Sequence, residues 1–157
     1  MTEAADTSRR LLAAARDAAR HAHAPYSRFA VGAAVLLTDG SVVTGANFEN
    51  ASYGLSLCAE TVAIATANAR GRLADVVAVG VIGGVMDPDG RATGTAPVRP
   101  CGRCRQVLNE AAQMGGRDFP VHCGAAEGDR AETYRVSQLL PDAFGPADLG
   151  IAARARG

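Results

Sequence analysis

Four residues of this chain have the types and spacing to do chemistry together: Cys58, Glu60, Cys101 and Cys104. Three thiols and one carboxylate are the parts of a metal centre with an open position and an acid/base beside it. Zinc in a catalytic site takes three protein ligands and leaves the fourth place to water or hydroxide. Cys101 and Cys104 are spaced i, i+3, so a helix puts both sulfurs on one face. Cys58 and Glu60 are two apart, which mid-helix would point them away from each other; at a helix N-terminus both reach the space before the first turn. Glu60 is then no ligand but a proton carrier between the water and a substrate, which suits hydrolytic attack on an unsaturated carbon.

A competing reading is a closed structural zinc site or a redox dithiol, since Cys-x-x-Cys alone serves both. Closure needs a fourth ligand, and Cys123 or the neighbouring His122 could supply it. Glu60 argues against closure, because a structural site has no use for a carboxylate there. Cys123 otherwise reads as a small buried hydrophobe. The charge balance is demanding. Three thiolates around one Zn²⁺ leave a net negative site, so helix N-termini and arginines must compensate, with Arg103 and Arg105 nearest in sequence.

The elements that must position these groups are legible in outline. Cys101–Met114 reads as a helix: Val107, Leu108, Ala111 and Ala112 continue the cysteine face, Pro100 precedes it and Gly115-Gly116 ends it. A second helix starts near residue 58 and ends near Gly71; Val62, Ala63, Ile64, Ala65 and Ala67 make it apolar nearly all round, hence buried. Two helix N-termini then face one metal. Upstream, Ser8 is the expected cap of a helix over Arg9–Ala22, with Met1–Thr7 a frayed tail. Gly32–Thr38 and Ser41–Asn47 flank Asp39-Gly40, a two-residue hairpin signal. Val76–Ile82 is β-branched without alternation, as in a central strand covered on both faces. Strand, helix, strand implies a crossover unit. Gly83–Val98 is turn-rich. Phe119–Cys123 reads as a strand, with Pro120 marking an edge or a strand start. Tyr134–Val136 is a further short strand, and Ser137 a cap for a turn of helix. His21 and His23 sit where histidines interact with a helix C-terminus.

The chain has 157 residues, enough for one domain with a real core. Lys plus Arg is 16 and Asp plus Glu is 16, all the basic residues being Arg, so an acidic polymer is not indicated as partner. No basic-aromatic stripe for single-stranded nucleic acid is present. No apolar run reaches membrane-spanning length and no signal-peptide core is seen. Four cysteines, three in metal spacing, fit a reducing cytoplasm better than a disulfide scaffold.

A Cys or His two before Glu with a later Pro-Cys-x-x-Cys is the signature of zinc nucleobase deaminases. Five ordered blocks extend this, and the chain resembles the small cytidine deaminase family from about Pro25 to Leu149. The blocks are Pro25–Ala34, Gly45–Gly54, Cys58-Ala59-Glu60, Pro100–Gln106 and Leu139–Pro146. The resemblance implies an α/β fold, a mixed β-sheet flanked by helices in α-β-α layers. It implies one zinc per subunit on Cys58, Cys101 and Cys104, with Glu60 catalytic. By the same resemblance Phe29 packs on the pyrimidine, Asn47 and Glu49 hold the ribose 3′-hydroxyl, and the Ala59 backbone with Glu60 reads the base. Phe144 and Tyr53 lie at subunit boundaries of a homotetramer with shared active sites. The substrate implied is a small nucleoside, cytidine or 2′-deoxycytidine, with no polynucleotide and no membrane as partner.

The chain departs from the family in three places. Thr61 stands where Arg often follows the catalytic Glu, Arg99 stands where Ser or Thr precedes Pro-Cys-Gly, and Val81–Arg99 is long, a candidate lid. These keep one alternative open, a deaminase of a modified cytosine nucleoside of the blasticidin S type; a separate alternative of another class is a non-catalytic zinc-stabilised binding protein.

Overall fold

The apolar run from Val76 forms the middle of the sheet. In the computed structural model, which describes residues 2–151 and 153, it spans Val76–Met86 (β3). β3 is hydrogen-bonded on one side to Phe29–Leu37 (β1), antiparallel, and on the other to Pro120–Ala125 (β5), parallel. Val42–Ala46 (β2) and Ala131–Arg135 (β6) complete the order β2-β1-β3-β5-β6. A strand buried on both faces reads as continuous hydrophobe, and the missing alternation in β3 has that cause. β3 runs four residues beyond the expected Ile82 because Phe29 of β1 pairs with Val85.

Helices cover both faces, as the α-β-α expectation requires. Glu3–Ala19 (α1) packs Leu11, Leu12, Ala15 and Ala19 on Ala34, Ala78 and Ile82. Ala59–Ala69 (α2) and Gly102–Gly115 (α3) cover the other face, over Val35, Val79, Val81 and Val121. Both are crossovers: α2 joins β2 to β3, and α3 joins β3 to the parallel β5. Cys123 is fully buried in this second core.

Some local expectations are corrected. α1 starts six residues before Arg9, and its cap is Thr2, whose Oγ1 accepts the Ala5 N–H at 3.2 Å, not Ser8. Glu3 and Asp6 in the first turn favour that start through the helix dipole, so residues 2–7 are not a frayed tail; Met1 lies outside the described residues. The β1–β2 loop has three residues, Thr38-Asp39-Gly40: Leu37 N–H bonds Ser41 O, and Gly40 takes φ 83°. That is a turn followed by a left-handed glycine, which adds one residue to the loop read from Asp39-Gly40. Pro120 opens β5, which is interior, not an edge. Arg135, not Ser137, caps the short helix Val136–Leu139 (α4); the Ser137 hydroxyl donates to Asp118 Oδ2 at 2.6 Å instead.

The turn-rich segment is built into the sheet. Ala92–Thr93 (β4) pairs with Val85 and Met86, continuing beside β3 past the end of its pairing with β5. It is therefore a hairpin fixed by ladder hydrogen bonds, not a free lid, and of its residues Val98 and Arg99 reach the cavity described next.

Candidate metal centre and its cavity

Two close approaches set the site. Gly45 of β2 lies so near α2 that an added Cβ would stand 2.6 Å from Ala59 O and 2.6 Å from Ala63 N. Only glycine lets that helix start against the strand. Cys58 then becomes the N-cap of α2 and Cys101 the N-cap of α3, both in extended backbone conformation. N-cap side chains lie in front of unpaired helix N–H groups. Cys104, in the first turn of α3, is fully buried.

The three sulfurs lie within 4.8 Å of one another, with Cys58 Sγ and Cys101 Sγ 3.8 Å apart. Zn–S bonds of about 2.3 Å in tetrahedral geometry require a sulfur–sulfur edge of about 3.8 Å. All four cysteines are free thiols, and Cys123 and His122 stand outside the cluster. The set thus fits zinc with three protein ligands, and the closed four-ligand reading loses its fourth side chain.

The electrostatics point the same way. Burial pushes the Cys104 thiol far above its ordinary range, and the Glu60 carboxylate adds to this against the Thr61 hydroxyl. Burial likewise raises Cys58. For Cys101 burial is overcome: the backbone N–H of Cys104 and the two neighbouring thiols pull its pKa down. Three thiolates side by side, one of them fully buried, need a cation, which is the environment a divalent metal supplies. Part of the compensation comes from the α3 N-terminus, as expected. Thr61 contributes a hydroxyl, its Oγ1 3.5 Å from Cys104 Sγ, where the family often has a cation. Arg103 and Arg105 turn their guanidinium groups to backbone carbonyls: Arg103 to Ser56 O at 3.3 Å, Arg105 to Pro100 O at 2.8 Å and Leu139 O at 2.9 Å.

Glu60, on the second residue of α2, is 4% exposed, and its Oε2 lies 3.6 Å from Cys104 Sγ. Burial lifts its carboxyl above the usual range, opposed by its own backbone N–H and the Cys104 thiol. A carboxyl lifted toward neutrality can both take and return a proton.

A cavity of about 290 Å³ opens in front of these groups, lined by Asn47, Glu49, Cys58, Ala59, Glu60 and Cys101 among the expected residues. Val31, Ser56, Leu57, Val98 and Arg99 complete the wall. Val31 lies in the Pro25–Ala34 block, Ser56 and Leu57 fall between the blocks, and Arg99 is marked by its departure from the family. Arg99 is anchored away from the sulfurs, its Nε donating to Tyr134 Oη at 2.9 Å and its guanidinium paired with Glu132. Phe29 is half-buried at the start of β1, and its carbonyl accepts from Asn47 Nδ2 at 2.9 Å. Glu49 clamps the same segment: Oε2 accepts the N–H groups of Tyr26 (3.0 Å) and Ser27 (3.2 Å), and Oε1 accepts the Ser27 hydroxyl. Although burial opposes it, these hydrogen bonds hold Glu49 below the ordinary carboxylate range. Phe29, Tyr53 and Phe144 do not line the cavity; Tyr53 and Phe144 are 72% and 62% exposed. Tyr53 rests against Tyr26, ring centroids 5.5 Å apart.

A sheet layered between helices, with an open three-sulfur centre at two helix N-termini and a buried carboxylate beside it, defines an α/β zinc protein equipped for hydrolysis. Residues 5–115 match the family described as the cytidine and deoxycytidylate deaminase zinc-binding region. A cytidine deaminase of Halalkalibacterium halodurans is 47% identical over 139 residues, covering 88% of this chain and 95% of that one. One from Mycobacterium tuberculosis is 44% identical, covering 86% and 87%. The crystal structure of the Burkholderia pseudomallei cytidine deaminase superposes with TM-score 0.74 at 39% identity, covering 92% of this chain and all of that one. The chain belongs to the cytidine and deoxycytidylate deaminase family, and its metal is zinc, one per chain.

Proposed function

We propose that this protein hydrolytically deaminates cytidine and 2′-deoxycytidine, releasing ammonia and uridine or 2′-deoxyuridine, as part of pyrimidine salvage. The observation that carries the reading is Glu60, a buried carboxylate against three metal-binding thiols at the wall of a ligand-sized cavity. Bound by Cys58, Cys101 and Cys104, zinc supplies Lewis-acid activation of the nucleophilic water. Glu60 takes one proton from that water and delivers it to N3 as the C4–O bond forms. It then passes the second proton to the exocyclic amine, and the C4–N4 bond breaks with ammonia leaving. Water plus cytidine balances as uridine plus ammonia.

The remaining residues hold the nucleoside. The Ala59 backbone and Glu60 read the base, and Phe29 packs on the ring. Asn47 and Glu49 take the ribose 3′-hydroxyl, and both have capacity left. A carboxylate offers about four lone-pair sites, of which Tyr26 and Ser27 occupy three in Glu49. Asn47 uses one N–H and one lone pair on Phe29 and Val31. The reading includes a homotetramer in which Tyr53 and Phe144 complete a neighbour's site; their exposure as large apolar side chains supports it. It treats the chain as one deaminase domain, active in a reducing cytoplasm. Among the described residues no helix is long and apolar enough to cross a membrane.

The test is a substrate panel on zinc-loaded protein: cytidine, deoxycytidine, deoxycytidylate and a cytosine nucleoside antibiotic, followed by ultraviolet absorbance and ammonia release. Turnover of the two free nucleosides is expected. Zinc-loaded protein inert on every member would favour a non-catalytic binding protein instead.

A further inference from the structure

The long segment between β3 and α3, unused by the chemistry above, carries an arginine to the other face of the sheet. After the Asp87–Gly90 turn, Arg91 joins Arg16 of α1 and Arg20, the residue that caps its C-terminus, around a cavity of about 310 Å³, walled by Ile82, Ala92 and Ala126. Ile82 and Ala92 belong to the α1-side core, opposite α2, α3 and the zinc centre.

No Asp or Glu lines this cavity. Asp87 Oδ1 accepts the Arg91 backbone N–H at 2.8 Å, and Glu127 Oε2 accepts the Gly94 N–H at 2.8 Å; Asp17, in sequence between Arg16 and Arg20, is exposed and does not line the cavity. Arg16 is held rigidly, its Nε donating to Ala126 O (3.2 Å) and its Nη2 to Ala125 O (3.1 Å) and Gly128 O (2.8 Å). Among the described residues, that leaves Nη1 without a hydrogen-bond partner. Among the described residues, the guanidinium groups of Arg20 and Arg91 have no carboxylate and no carbonyl partner. Arg16 and Arg20, at i and i+4, share one face of α1.

Two arginines near a helix C-terminus alone would be a solvated face favoured by the dipole. Arg91 changes that, because a separate hairpin adds a third like charge to the same concavity. The chain as a whole balances 16 basic against 16 acidic residues, so the excess is local. Like charges around a cleft repel, and an anion bridging them reverses the sign. Guanidinium groups match tetrahedral phosphate oxygens through paired N–H donors, and one of the three is already fixed in direction.

We propose that Arg16, Arg20 and Arg91 form a binding site for the phosphoryl group of a small phosphorylated ligand or of free phosphate, on the face opposite the zinc. Calorimetry on the zinc-loaded protein tests it, titrating inorganic phosphate and, separately, adenosine 5′-monophosphate at ionic strength matched with chloride. The double variant Arg20→Ala/Arg91→Ala is compared with Arg130→Ala, which removes an exposed charge that does not line the cavity. The expected result is saturable binding weakened at least about tenfold in the double variant and unchanged in Arg130→Ala, with cytidine turnover in phosphate-free buffer unaltered. Tighter binding of the nucleotide assigns the site to nucleotides, and equal binding assigns it to free phosphate. No binding by the parent, or equal affinity in the double variant, overturns the proposal. Because cytidine turnover is read separately, neither result bears on the deaminase assignment.

Discussion

Asn47 holds Phe29 through its main chain: Asn47 Nδ2 donates to Phe29 O at 2.9 Å, while Oδ1 accepts the Val31 N–H at 2.8 Å. The end of β2 thus fixes the start of β1, and the side chain proposed to hold the sugar also fixes the residue proposed to stack on the base. Replacing Asn47 with Ala should damage both functions. Stability should fall by about 1–3 kcal/mol, since two half-buried backbone groups lose partners. KM for cytidine should rise more than kcat falls. Urea unfolding with steady-state kinetics checks this, and an unchanged KM would remove Asn47 from the binding site.

Ser27 and Glu49 make a prediction about acid. Burial opposes ionisation of Glu49, but the Ser27 hydroxyl and the Tyr26 and Ser27 N–H groups lower its pKa below the ordinary 4.5. A depressed carboxylate contributes fully above its unfolded pKa, and the contribution is lost as pH falls through the lower, folded value. In Ser27→Ala the folded value moves back up. KM for cytidine should therefore begin its acidic rise at higher pH in the variant than in the parent. Parallel KM profiles from pH 7 down into the carboxylate range decide it; coincident profiles would contradict the clamp.

Gly45 makes a steric prediction. In Gly45→Ala the new methyl meets Ala59 O and the Ala63 backbone at 2.6 Å, so α2 must move away from β2. Overpacking of this kind costs about 1–3 kcal/mol. Because Cys58 and Glu60 ride on that helix end, turnover should fall together with the thermal midpoint. A variant with parental midpoint and parental kcat would show that the close approach is not needed.

These relationships explain what could be read from the chain and what could not. α3 was legible because its two cysteines and its apolar residues share one helical period, and the start of α2 followed from Cys58 and Glu60 needing a helix end. β3 was legible from its unbroken apolar run. The double duty of Asn47 was not, because it depends on a register, Gly32 opposite Ala46, that local sequence does not set. The start of α1 differs from the Ser8 expectation because Thr2, followed by the acidic first turn of Glu3 and Asp6, caps the helix earlier. Arg99 was noticed as an oddity, but its anchor on Tyr134 and Glu132 belongs to β6, more than thirty residues away. The roles proposed for Tyr53 and Phe144, which are exposed in the single chain, require a second subunit, and local sequence does not encode one.

Removing the metal should expose the cost of the thiol cluster. Without a cation, burial keeps Cys58 and Cys104 protonated, and binding zinc must release those protons. Chelator treatment should lower the thermal midpoint and make Cys58 and Cys101 reactive to thiol reagents, while fully buried Cys123 stays protected. Added zinc should reverse both effects. An apo-protein as stable as the holo-protein, with no new reactive thiols, would contradict the three-sulfur assignment.

The account rests most heavily on the separation between Glu60 and the metal ligands. Glu60→Gln keeps the shape and the three sulfurs but cannot carry a proton. Zinc content and cytidine turnover measured on the same preparation give the answer directly. One zinc per chain with turnover reduced roughly 10²–10⁴-fold or more is the expected result. Parental turnover in that variant would contradict the proton-transfer role, and loss of the zinc would show that Glu60 belongs to the metal's own coordination.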